Sequence, residues 1–80
     1  MTLEEALNAI TAHCQEGCSD NLNNAGRRAA MREAQELIGV LRALGASMAV
    51  FRMAENLYGA VEVVMEKEGC SMDDEDADGE

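Results

Sequence analysis

The sequence predicts an all-α fold, and three observations carry that prediction. Proline is absent from the 80 residues. Ala, Leu, Met, Glu and Arg recur throughout, with few β-branched clusters, and these are good helix formers. Apolar residues also return at intervals of three and four along three separate stretches.

The first stretch opens at Thr2, with Glu5 three residues on. This is the capping-box pattern, in which a hydroxyl and a carboxylate each satisfy an orphan backbone N–H. Leu3, Ala6, Leu7, Ile10 and Cys14 then form one apolar row, so a helix is expected over about 3–16, stopping at Gly17. Residues 17–24 (Gly-Cys-Ser-Asp-Asn-Leu-Asn-Asn) are rich in short polar side chains that compete with helix hydrogen bonds, which predicts a loop. Asn23 or Asn24 is placed to cap a second helix over about 25–44, with Gly45 where a left-handed C′ residue is wanted. Ser47 is placed to cap a third over about 48–68. Only Gly45, Ala46 and Ser47 separate the two long helices, which predicts an antiparallel hairpin with the short first helix packed on it. An unbroken helix through Gly45 is the alternative. The domain is thus expected over 1–70, followed by a disordered acidic tail over 71–80.

Both long helices carry wide apolar arcs. At 100° per residue the third gathers Val50, Phe51, Met53, Ala54, Leu57, Tyr58, Ala60, Val61, Val64 and Met65 over about half its circumference. The second gathers Met31, Ala34, Leu37, Ile38, Val40, Leu41 and Leu44. A short first helix cannot cover both. A chain this small also buries only about 60% of its unfolded surface, so a further source of stability is expected. A homo-oligomeric helical bundle supplies it, with a two-fold dimer favoured over a compact monomer with Met-rich edges. Phe51, Met53, Leu57, Tyr58 and Val64 are the candidate interface residues.

The formal charge of −10 is concentrated at one end. Asp73, Asp74, Glu75, Asp76, Asp78 and Glu80 carry much of it, leaving ten acids against six bases before them. A balance of this sign opposes direct nucleic-acid binding, which depends on neutralising phosphates. Arg42, Arg52, Glu55 and Glu62 interrupt the longest apolar runs, so no membrane span of roughly 18 residues is expected. Glu4 and Glu5 stand where a secretion signal would be basic, and Cys14, Cys18 and Cys70 are odd in number. Free thiols and a cytoplasmic location are therefore expected.

Three arginines break a local rule: Arg27, Arg28 and Arg32 lie in the opening turns of the second helix, where its dipole disfavours cations. Arg27 falls in the apolar arc, while Arg28 and Arg32 are expected to point outward. Near free helix amides the trio is a candidate site for a small anion such as a nucleotide. The plainer alternative has Arg27 paired with an acid of another helix, Arg28 solvated and Arg32 paired with Glu36. His13 and the three cysteines are ligand types that zinc accepts, but their spacing lacks the paired pattern of structural sites, so no metal or cofactor is expected. No catalytic group is expected either. His13 and Cys14 are helix neighbours that diverge by about 100°, and Glu62 and Glu66 sit on a polar face where nothing raises their pKa.

These features point to non-enzymatic binding. The first expectation is a small acidic inhibitor or adaptor that engages a larger basic or nucleic-acid-handling protein through Glu55, Glu62, Glu66 and the tail acids Asp73, Asp74, Glu75 and Asp76. In composition it resembles phage-encoded inhibitors of bacterial defence such as anti-CRISPR proteins; no aligned motif carries the resemblance. The other expectations are an oligomeric binder of a small anion at Arg27, Arg28 and Arg32, acting as sponge or sensor, and a structural subunit of a larger complex.

Overall fold

In the computed structural model, which describes residues 1–72, three helices follow one another: α1 over Leu3–Gly17, α2 over Asn24–Val40 and α3 over Met48–Lys67. No strand occurs among the described residues. Each helix begins where a side-chain oxygen replaces a missing partner for the first turn. The Thr2 backbone N–H donates to Glu5 Oε1 at 2.8 Å while the Glu5 N–H donates to Thr2 Oγ1 at 3.1 Å, completing the capping box. Asn23 Oδ1 accepts from the Gly26 N–H at 2.8 Å, so Asn23 rather than Asn24 caps α2. Ser47 Oγ accepts from the Val50 N–H at 3.2 Å.

The helix ends differ in kind. After Val40 the ladder tightens: the N–H of Leu41 donates to Ile38, that of Leu44 to both Val40 and Leu41, and that of Gly45 to Arg42. Regular α-helix therefore stops four residues short of the expected Leu44, although the chain keeps turning until Gly45. Gly45 takes φ +91° and Ala46 N–H reaches Leu41 O, closing a Schellman motif. Gly69 does the same for α3 at φ +84°, with Cys70 N–H donating to Met65 O at 2.8 Å. Gly17, expected to stop α1, is instead its last helical residue and has no positive φ. Its missing side chain serves packing. A Cβ there would lie 2.6 Å from Met31 Sδ and 3.0 Å from Val61 Cγ1, so glycine lets α2 and α3 close onto the end of α1.

The core combines the predicted apolar rows. Ala6, Ile10 and Cys14 of α1 meet Met31, Ala34, Ile38 and Leu41 from α2 and its following turn, and Ala54, Val61 and Met65 of α3. The short α1 makes the most extensive interhelix contacts, chiefly with α2, while α2 and α3 touch each other least. Beyond α3 the chain folds back over the bundle end: Cys70 is fully buried and its thiol lies 3.7 Å from Asn24 O. Ser71 and Met72 are half-buried, with Met72 packed on the core. At the other end Arg42 stacks over the Phe51 ring, 5.9 Å from its centroid, across the α2–α3 connection.

Candidate interaction surfaces

The arginine cluster lies at the end of the bundle where α1 finishes, α2 begins and α3 finishes. Arg27 is buried; its Nε donates to Gly17 O at 2.8 Å and its Nη2 bonds Glu68 Oε1. A cation disfavoured by its own helix dipole thus sits against the negative ends of two others. One guanidinium ties three helix termini, as a planar fork with several donors allows. Arg28, expected to point outward into solvent, is 1% exposed. In the second turn of α2 its side chain is directed back toward the helix N-terminus and away from solvent. A helical wheel of α2 alone gives no sign of that burial; at the same end of α2 the Cys70 thiol packs against Asn24 O, 46 positions away. Arg32 alone of the three is exposed. An anion site built from all three would therefore require Arg27 to leave Glu68.

A second surface runs along α3. Two rows lie side by side on this helix with the same 3-4-3-4 spacing. One, Phe51–Ala54–Tyr58–Val61–Met65, faces the chain's own core. Of the expected interface residues, Phe51 and Tyr58 therefore belong to the intramolecular side. The other row, Val50–Met53–Leu57–Ala60–Val64, is offset by one residue and faces outward: Met53 is 68% exposed, Leu57 38% and Val64 40%. Between this row and α1 opens an apolar groove of about 250 Å³ lined by Leu7, Ile10, Thr11, Val50, Met53, Ala54 and Leu57. The contribution of Leu7, Ile10 and Thr11 was not foreseen. Their spacing marked a helix face, but only the packing of α1 beside α3 turns that face into a groove wall.

The acidic candidates occupy a different side of α3. Glu55 and Glu66 are exposed and Glu62 is half-buried. Near Glu62 the Tyr58 hydroxyl has its pKa raised, mainly by burial and then by the Glu62 and Cys14 charges, against an opposing Arg32. Asp73, Asp74, Glu75 and Asp76 lie outside the described residues.

Cys14 is buried and its thiol pKa is raised by burial first and by neighbouring Cys18 second, the reverse of what activates a nucleophile. His13 Nδ1 lies 2.8 Å from Glu16 Oε1 on the helix surface. Cys18 is exposed and Cys70 buried, both as free thiols. Among the described residues no group of three or more His, Cys, Asp or Glu side chains is arranged to hold a metal ion, and no helix is long and apolar enough to cross a membrane. Comparison with protein-family models, with curated proteins and with solved structures finds no match to this chain.

Proposed function

We propose that this protein acts by binding rather than by catalysis, as a small acidic cytoplasmic inhibitor or adaptor of the phage anti-defence type. Its partner in this reading is a larger protein with a basic surface, such as one that handles nucleic acid. The observation that carries the proposal is the division of α3 into two accessible sides. Glu55 and Glu66 stand exposed on one, while an uncharged row is exposed on the other. A carboxylate row suits steering toward a positive surface, and the acids of residues 73–80 extend the same charge. Assembly of the chain, an antiparallel α2–α3 hairpin with α1 laid on it, into a homo-oligomer belongs to the same proposal. That assembly leaves the acidic side free while covering the apolar one.

A pull-down from bacterial lysate tests the partner. The full chain is compared with a Glu55→Lys/Glu66→Lys variant and with a chain ending at residue 72. A captured protein that is basic, is released by salt and is lost with the charge reversals supports the proposal. Recovery of nothing at low salt, or capture indifferent to the reversals and to the tail, overturns it.

A further inference from the structure

We infer that the outward row of α3 is the seat of a second copy of this chain, whose own α3 lies antiparallel across it to form a two-fold dimer. The inference rests on the homo-oligomeric part of the proposal above and adds the face, the occupant and the orientation.

Spacing is the first ground. Val50, Met53, Leu57, Ala60 and Val64 repeat at 3-4-3-4, as does the row one residue over that α3 buries in its own chain. Such a repeat presents a straight seam to another helix crossing at about 20°. The inner seam has its neighbours in α1 and α2. The outer one borders only the groove wall formed by Leu7, Ile10 and Thr11.

Charge is the second. The residues flanking the seam on its outer side are Ala49, Asn56 and Val63, all uncharged and all exposed. On α3 the charges of Arg52, Glu55, Glu62 and Glu66 fall on the opposite side of the helix, and Lys67 follows the seam at its end. A molecule of charge −10 approaches a copy of itself most readily through a face poor in acids, and the α3 seam has none.

Orientation follows from size and electrostatics. With the two-fold axis between Tyr58 and Gly59, an antiparallel pair sets Leu57 against the second copy's Ala60 and Met53 against its Val64, so that large meets small in these two layers, while Val50 at each end meets the stem of the second copy's Lys67. A parallel pair stacks Ala60 on Ala60 and leaves a gap. It also aligns the two helix dipoles, which the antiparallel pair opposes. Lys67 of each copy then arrives where the second copy's α1 begins, near Glu4, which shares the helix face of Leu7 and Thr11.

The extent of the surface sets the strength. A seam roughly 30 Å long and one helix, about 10–12 Å, wide buries about 600–700 Å² over both copies, and the groove wall of Leu7 and Thr11 adds to it. An interface below about 1,200 Å² belongs to the weak, transient class, so association is expected only at high micromolar concentration and above.

Sedimentation of the full chain across that range, with and without two substitutions, tests the inference. Wild type is expected to pass from single chains to dimers as concentration rises. Met53→Glu and Val64→Lys should each weaken association roughly a hundredfold, because each leaves a charge buried without a partner. Both positions are exposed in the single chain, so its helical circular dichroism should be unchanged. Mixing the two variants, or combining both changes in one chain, should restore dimers, because residues 53 and 64 face each other only when the helices run antiparallel. Three results overturn the inference. Single chains at every concentration remove the dimer and with it the homo-oligomeric reading. Dimers indifferent to Met53→Glu remove this face alone. Failure of the paired variants to recover association removes the orientation.

Discussion

Gly17 and Gly39 carry the same residue type for opposite structural consequences. A methyl group at Gly17 collides with Met31, which is fully buried, and with Val61, which is 6% exposed, so neither neighbour has free space to move into. A methyl group at Gly39 meets nothing within 4 Å. Alanine gains about 1 kcal/mol of helix propensity over glycine at either place, but overpacking a core costs about 1–3 kcal/mol. Gly17→Ala is therefore expected to lower stability by about 1 kcal/mol and Gly39→Ala to raise it by about 0.5–1 kcal/mol, both measured by urea denaturation. Equal gains at the two positions would contradict the close approach of the three helices at Gly17.

At the scale of the element, each helix is delimited by its own local chemistry and then fixed to the others at its ends. The caps at Thr2, Asn23 and Ser47 and the left-handed glycines at 45 and 69 are local devices, readable from residues within one turn. Arg27 is the nonlocal one. Removing it strands the Gly17 carbonyl in a buried setting and releases Glu68, which is partly solvated and can rehydrate. Arg27→Ala is expected to cost about 1–3 kcal/mol. Arg27→Lys should recover little of it, since a single ammonium on a flexible stem does not reproduce the fork that reaches both acceptors. Full stability in the lysine variant, by thermal melting at low and high salt, would show that charge alone rather than the two-pronged geometry holds these ends together.

For the whole molecule, burial of two weak acids gives stability a defined dependence on pH. The folded chain keeps the Cys14 thiol and the Tyr58 phenol neutral above their ordinary values of 9.0 and 10.0. The unfolded chain ionises at those ordinary values, so it loses protons first and is favoured as pH rises. The contribution is complete below pH 9 and disappears as pH climbs through the higher folded-state values. The denaturation midpoint is expected to hold from neutrality to about pH 8.5 and then fall, with Cys14→Ala delaying the onset toward the tyrosine range. A midpoint as flat above pH 9 in wild type as in the variant would mean that Cys14 is not held neutral by burial.

What the sequence determined by itself was whatever depends on neighbours one turn away: three helices, their starts at Thr2, at Asn23 or Asn24, and at Ser47, the left-handed turn at Gly45 and the stop before Gly69, and an apolar arc on α3 too broad for one neighbour. Periodicity and capping are local, and so they survive in one dimension. What only the tertiary structure decided was how those surfaces meet. The arc on α3 is divided into an inner seam that includes Phe51 and Tyr58 and an outer one that includes Met53, Leu57 and Val64. Arg28 is buried where solvation was expected, and Gly17 admits a three-helix contact. Each depends on residues brought together across tens of positions, and no pattern along a single helix encodes which of its faces another helix will cover.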